Sequence, residues 1–196
     1  MVWKKNGTPL TLGSALDDID ITDLTAKKFN VFLNHNIHSG SCTEDKNFNN
    51  NSNSVYAQRR DNAHGGDVTA TSQTTISTLG GEPDDRFEVI HGCSISGEEK
   101  LFIGSTTRRA TAGAGTAPSN SEWVAKFVPS PSADITRIDI HNSDAGSYDT
   151  NSNLSAFGTD DGDSNYIIQD GAVFEETDTN KHYLYSSTTG LWTEVT

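Results

Sequence analysis

The sequence predicts an all-β protein, an antiparallel β-sandwich that is followed by a small C-terminal β-meander. Three apolar-patterned runs between Glu122 and Asp161 (EWVAKFV, DITRIDIH and NLSAFGTD) are separated by clusters of Pro, Ser, Asp and Gly. This arrangement is typical of strands joined by turns. In the middle run, Ile138 and Ile140 alternate with polar residues, a period of two that suits a half-buried antiparallel strand. The same alternation recurs along most of the chain.

The length and composition favour a small core with long polar loops. A chain of 196 residues can form one medium domain with a small appendage, and we place a sandwich domain at residues 1–163 and a meander module at residues 164–196. Chains of this length bury roughly 70% of the surface that they expose when unfolded. Only 33% of the residues are hydrophobic, but the regular alternation favours a β core over disorder.

The charge is strongly acidic and unevenly distributed. The net charge is −13, and residues 134–196 contain 12 acidic and only 2 basic residues. Nucleic-acid binding requires clustered Lys and Arg side chains that displace counterions, so we expect no direct nucleic-acid partner. We also expect no membrane partner and no signal peptide, because the sequence has no apolar run of the length that either requires.

Two runs predict long strands of the sandwich. FNVFLNHNI spans Phe29–Ile37 and FEVIHGCSI spans Phe87–Ile95, and both alternate along the chain. The more apolar face of each strand is expected to point into the core. These core-facing residues are Phe29, Val31, Leu33, Ile37, Phe87, Val89, Cys93 and Ile95.

Two polar stretches predict loops. Ser39–Asp67 contains the tract NFNNNSNS, and Asn-rich tracts usually form surface loops. Within it, only VYAQR predicts a short strand. Thr106–Ser121 has no core signal, and loops of this length are often mobile or form contact surfaces.

The C-terminal residues predict a compact meander. The segment NYIIQDGAVFEETDTNKHYLYSSTTGLWTEV contains four short apolar runs separated by turn residues. A sheet of this size is marginally stable alone. We therefore expect it to pack on the main domain or on another chain.

No motif in the sequence predicts catalysis. The glycine-rich GAGTAP at residues 113–118 lacks the Lys-Ser/Thr of a phosphate loop, and there is no G-x-S-x-G elbow. Glu175 and Glu176 are adjacent on a predicted strand, so they face apart, unlike the paired acids of a glycosidase. Cys42 and Cys93 do not make a disulfide framework. We expect a protein that is not an enzyme.

One acidic segment has the chemistry of a cation site. DDGDSN places carboxylates at alternate positions around a glycine, which suits calcium, but the spacing departs from the twelve-residue calcium loop. An acidic turn is the favoured interpretation, and we expect no cofactor. If calcium binds, its candidate ligands are Asp160, Asp161 and Asp163.

Two stretches resemble parts of known viral proteins. DITRIDIHNSDAGSYDTNSNLSAFGTDD resembles segments of structural proteins of tailed bacteriophages and related environmental viruses. Its LGTD-like end is formed by Leu154, Phe157, Gly158, Thr159 and Asp160. The C-terminal meander is similar to a short module that is common in phage virion proteins. Its GxxFEExDTxKxY core is formed by Gly171, Phe174, Glu175, Glu176, Asp178, Thr179, Lys181 and Tyr183.

The resemblance implies a jelly-roll-like β-sandwich displayed on a capsid, as a decoration protein, or on a tail or fibre. The protein would be made in the host cytoplasm, reside in the virion, and act as a homo-oligomer that contacts other virion proteins. In such proteins apolar and aromatic anchors at interfaces matter more than titrating groups. The interface residues that we predict are Arg108, Arg109, Phe174, Tyr183, Tyr185 and Trp192.

The alternative function is a carbohydrate-binding, lectin-like adhesin that recognises a host surface glycan. It is favoured by the sandwich architecture, by calcium chemistry at Asp160–Asp163 and by three tryptophans, Trp3, Trp123 and Trp192. A glycan-degrading domain is a weaker third hypothesis, since no paired-acid cleft is indicated.

Overall fold

The computed structural model describes most of the chain in two compact units. One unit comprises Trp3–Asp161, and the other comprises Gly162–Thr196 together with the first two residues. The described residues are 3–62, 66–109, 111–129, 133–160, 170–176, 179, 181–186, 188–189 and 191–195. The domain boundary predicted between residues 163 and 164 lies outside them.

The described residues contain strands and no helix, so the predicted all-β class is confirmed. The strands are β1 (Lys4–Lys5), β2 (Leu10–Thr11), β3 (Asp18–Ile21), β4 (Phe29–Asn36), β5 (Cys42–Phe48), β6 (Tyr56–Asn62), β7 (Asp67–Gln73), β8 (Ser77–Glu82), β9 (Arg86–Cys93), β10 (Lys100–Arg108), β11 (Ser119–Phe127), β12 (Ile138–Asn142), β13 (Asn153–Thr159), β14 (Val173–Glu176), β15 (Lys181–Ser186) and β16 (Leu191–Val195).

In the described part of the main unit, these strands form a large sheet of nine strands and a small sheet of four. The large sheet has the order β1-β13-β4-β9-β10-β11-β6-β7, with β2 also paired to β13, and the small sheet has the order β3-β12-β5-β8. Neighbouring strands are antiparallel. The predicted antiparallel sandwich is therefore confirmed.

The strand pairing is that of a jelly roll. The pairs β3–β12, β4–β9, β5–β8 and β6–β7 are nested within one another along the chain. A long hairpin rolled into two sheets produces this nesting, which defines the jelly roll. The hairpin β10–β11 is inserted between β9 and β6, and β13 extends the large sheet beyond β4.

Both predicted loops are shorter than expected. The tract at Ser39–Asp67 contains β5, a central strand of the small sheet, whereas among the described residues of Thr106–Ser121 only the first and last three belong to β10 and β11. The first prediction was wrong because composition indicated a loop, whereas residues such as Glu44 and Lys46 are fully buried in β5. Polar residues enter a core strand when partners on other strands neutralise and hydrogen-bond them.

The predicted core faces of β4 and β9 were also wrong. The buried residues of β4 are the even-numbered ones, such as Phe32 and Asn34, and Phe29 is only half-buried. In β9, Arg86 and Glu88 are buried, whereas Phe87 is 46% exposed. Each strand therefore turns its more apolar face outward.

The apolar half of the core is built around aromatic rings. Phe48 of the small sheet stacks on Phe102 of the large sheet, with ring centroids 4.6 Å apart, and lies 5.7 Å from Phe32. Phe127 stacks on Tyr56 at 4.8 Å. Offset aromatic pairs of this kind add stability beyond the area that they bury, and here they join the two sheets.

The C-terminal unit contains a small antiparallel sheet in the order β14-β15-β16. Turns at residues 170–171, 179 and 188–189 agree with the predicted meander. The first of the four predicted strands, at residues 165–169, lies outside the described residues.

Candidate interaction surfaces

The exposed side of the large sheet carries an apolar surface, here called the outer face. It comprises the outward-pointing apolar residues of β13, β4, β9, β10 and β11, together with His91. These residues are Phe157, Phe29, Val31, Leu33, Phe87, Val89, His91, Cys93, Leu101, Ile103 and Val124.

The strand register makes the outer face continuous. Val31, His91, Ile103 and Val124 lie side by side in one row across four strands. The next row places Phe29, Cys93 and Leu101 together. Directly opposed residues on antiparallel strands have Cβ atoms about 5 Å apart, so these side chains form one uninterrupted patch.

The outer face is exposed and extends over a large area. Leu101 is 56% exposed and Ile103 is 60% exposed. Four strands about 4.8 Å apart, each contributing about 20 Å of its length, span roughly 400 Å² in projection. The largest contiguous apolar patch on a soluble monomer usually covers about 300–600 Å² and is often functional, so a patch of this size is a candidate interaction site.

The charges of these strands lie on the opposite side. In β13, β4, β9 and β10 the charged residues are Arg86, Glu88, Lys100 and Arg108, and all four belong to the inward-pointing set. The first three are fully buried. The outward side of these four strands is therefore without Lys, Arg, Asp or Glu, which matches the depletion of charge in the cores of interfaces. The fifth strand, β11, points Glu122 and Lys126 outward on either side of Val124.

A buried ionic cluster between the sheets explains why charged residues of these strands point inward and apolar residues point outward. Lys46 Nζ lies 3.0 Å from Glu44 Oε2 and 3.3 Å from Glu88 Oε2, and Arg86 Nη1 lies 3.7 Å from Glu44 Oε1. Two acids thus face two bases, with no net charge in the cluster. Buried charges persist only when opposite charges neutralise them, and these ionic contacts supply that neutralisation.

Further polar side chains complete the cluster. Trp123 donates its indole N–H to Glu88 at 2.9 Å, and Thr106 donates its hydroxyl to the same oxygen. Asn36 donates to Glu44 at 2.8 Å, and His38 lies 3.1 Å from it. These partners fix the orientation of both carboxylates in the core.

The cluster shifts the titration of its members. Burial alone would raise the pKa of Glu44, but Lys46, His38, Arg86 and Asn36 outweigh it and hold the pKa well below its usual range. Burial would likewise lower the pKa of Lys46, but the Glu88 and Glu44 carboxylates raise it. Both groups are therefore charged in the folded protein at neutral pH.

Acidification is expected to destabilise the main unit through Glu44. Because the folded pKa lies below the ordinary value of 4.5, the contribution of Glu44 is fully present above that pH and is lost as the pH falls below it. Urea unfolding measured against pH should show a steep loss in the native chain and a shallower one in Glu44→Gln. An equal loss in both would contradict the prediction, and the exposed Glu99→Gln serves as control.

The predicted aromatic interface residues lie together on one face of the C-terminal sheet. The ring centroids of Phe174 and Trp192 are 6.0 Å apart, those of Tyr185 and Trp192 are 5.3 Å apart, and Tyr183 lies 6.0 Å from Phe174. Phe174 is 52% exposed, and Leu191, on the other face, is 65% exposed. Both faces of this sheet thus present apolar surface.

The other predicted interface residues lie elsewhere. Arg109 pairs with Asp85 of the same chain at 2.6 Å. Arg108 is partly buried and lines a cleft of about 180 Å³ with Arg60, Asp61 and Trp123. Their role at an interface stays a prediction.

Of the three candidate calcium ligands, the structure describes Asp160. Its carboxylate accepts hydrogen bonds from Lys27 Nζ at 2.6 Å and from the Lys28 backbone N–H at 2.9 Å, and these bonds lower its pKa. Asp161 and Asp163 lie outside the described residues. Among the residues that are described, no three His, Cys, Asp or Glu side chains are grouped to hold a metal ion.

The tryptophans and histidines are dispersed. Trp3 is exposed on the main unit, Trp123 is only 2% exposed, and Trp192 lies on the C-terminal sheet, so Trp123 offers no stacking surface to a glycan. His91 lies on the outer face, whereas His141 of the small sheet is hydrogen-bonded to Asp18. The two thiols, Cys42 and Cys93, are free.

The outer face escaped the sequence interpretation because its residues were assigned to the core. Comparison of the chain with protein-family models, with curated proteins and with solved structures finds no match in any of the three. Within the described residues there is also no helix long and apolar enough to cross a membrane. The function is therefore inferred from the geometry of the surfaces.

Proposed function

We propose that this chain is a non-enzymatic structural protein of a virus particle, displayed on a phage-like capsid or on a tail or fibre. It acts through contacts with copies of itself and with other coat proteins. The observation that carries the proposal is the outer face, an apolar surface whose β13, β4, β9 and β10 strands point no charged residue outward, on a chain with a net charge of −13. Surfaces of this composition are the central parts of protein–protein interfaces.

Two further features support the same function. Aromatic stacking and a neutralised ionic cluster hold the two sheets together. The outer face is therefore not needed to stabilise the sandwich. The C-terminal sheet offers a second apolar surface with an aromatic cluster, and aromatic residues are enriched at binding hot spots. The resemblance of both regions to phage virion proteins is consistent with these two contact surfaces.

Detection of the chain in purified virus particles is the test of this proposal. Antibodies raised against the recombinant chain, together with mass spectrometry of its peptides, should detect it in virus particles purified by density gradient from its source. Treatment that disassembles the particles should release it into the soluble fraction. Recovery of the chain exclusively among soluble host-derived proteins would overturn the proposal.

A further inference from the structure

We infer that the outer face is covered by the outer face of a second copy of this chain, so that two sandwiches pack sheet against sheet around a two-fold axis. This inference deepens the proposed function and rests on it for its biological meaning. The contact between two copies can be measured on the purified chain, without virus particles.

The first argument is charge. A partner for this surface must present a flat apolar area without Lys, Arg, Asp or Glu, because a charge buried there would be unpaired. The outward-pointing residues of β13, β4, β9 and β10 meet that requirement themselves. Two copies of an acidic chain can therefore approach along these four strands without placing like charges opposite each other, with the outward-pointing Glu122 and Lys126 of β11 bordering the contact.

The second argument is area. Two faces of roughly 400 Å² each in projection, with side chains that protrude, bury close to 1,000 Å² in total, which is the lower limit for a specific interface. Sheets that pack face to face interdigitate their side chains at a separation of about 10 Å. The alternating branched residues of the outer face, such as Val31, Val89 and Ile103, suit such packing. A self-associating pair of moderate affinity is expected.

Sedimentation over a roughly hundredfold range of concentration should show a monomer–dimer equilibrium. Ile103→Asp places a charge in the middle of the contact and should weaken the dimer by about a hundredfold or more. The control is Leu191→Asp, which makes the same type of change on the C-terminal sheet. The two side chains are similarly accessible, since Leu191 is 65% exposed and Ile103 is 60% exposed. Circular dichroism of each variant reports whether it is folded.

A second variant works in the opposite direction. His91 is the one imidazole in its row, between Val31 and Ile103. His91→Phe replaces a polar ring with an apolar one of similar size, so the dimer should tighten by about tenfold. Tighter dimerisation by a variant whose circular dichroism is unchanged cannot be explained by misfolding.

The rate at which the Cys93 thiol is modified provides a direct measure of the contact. It lies on the outer face between Phe29 and Leu101, whereas Cys42 is fully buried and burial raises its pKa to about 11. Iodoacetamide should therefore modify Cys93 and spare Cys42 in the folded protein. The rate at Cys93 should fall several-fold as the dimer forms, and Ile103→Asp should restore it.

The outcomes separate the inference from the proposed function. If the chain stays monomeric and the Cys93 rate is independent of concentration, the inference is overturned. Should the same chain still be found in particles, the outer face binds another coat protein and the proposed function stands. A dimer abolished by Leu191→Asp and unaffected by Ile103→Asp would also overturn the inference, because the contact would then lie on the C-terminal sheet.

Discussion

Replacing Lys46 with methionine is expected to lower the free energy of unfolding by about 3–5 kcal/mol, the usual cost of removing one partner from a buried ion pair. Lys46 is fully buried and lies within 3.3 Å of both Glu44 and Glu88. Without the ammonium group, two carboxylates share the core with Arg86 alone. Domains have a total stability of about 5–15 kcal/mol, so the variant should be largely unfolded in modest urea concentrations. The measurement is urea unfolding followed by circular dichroism.

The matched control is Lys126→Met. Lys126 also pairs with a glutamate, Glu99, at 2.9 Å, but both side chains are largely exposed, and exposed pairs contribute at most about 1 kcal/mol. The double variant K46M/E88Q removes one charge of each sign and should recover part of the lost stability, since one carboxylate again faces Arg86. Equal effects of Lys46→Met and Lys126→Met would contradict the role assigned to the cluster.

Replacing Gly104 with alanine should also be severely destabilising. A Cβ at Gly104 would lie 2.0 Å from Cε2 of Trp123, the residue directly opposite it on β11. The indole must move, and its hydrogen bond to Glu88 is then lost. Overpacking costs about 1–3 kcal/mol, and a buried hydrogen bond to a charged group contributes about 1.5–3 kcal/mol, so a loss of about 3 kcal/mol or more is expected.

Gly80→Ala provides the comparison for this variant. Gly80 lies in β8, and a Cβ there meets no heavy atom within 4 Å, so its replacement should change stability by less than about 1 kcal/mol. Near-ultraviolet circular dichroism should register the displaced indole in Gly104→Ala and not in Gly80→Ala. A fully stable Gly104→Ala with an unchanged aromatic signal would refute the prediction.

Gly104→Ala acts on the inner side of β10, a strand that carries the outer face, and Lys46→Met removes a partner of Glu88, which lies on the inner side of β9. In β9 and β10 the inner side holds ions and aromatic rings, and the outer side holds residues such as Val89 and Ile103. The stability of the fold and the apolar surface thus depend on opposite faces of the same strands. Changes on the outer face should consequently alter association with little effect on folding.

Much of the secondary structure could be predicted from the sequence. The runs around Ile138 and Ile140, and those of Phe29–Ile37 and Phe87–Ile95, are strands at the predicted positions. Local alternation and turn residues are sufficient for this, because a strand and its turns are determined by neighbouring residues. The strand β5 was missed since half of its inward-pointing residues, Glu44 and Lys46, are charged.

The alternating pattern by itself determined that these strands have two distinct faces. Only the tertiary structure decided which face is buried, because a period of two is unchanged when the faces are exchanged. For β9 the decision depends on Lys46, a residue from a distant strand that neutralises Glu88 in the core. Charge compensation between strands far apart in the chain has no local signal, and it leaves the apolar residues of these strands on the surface.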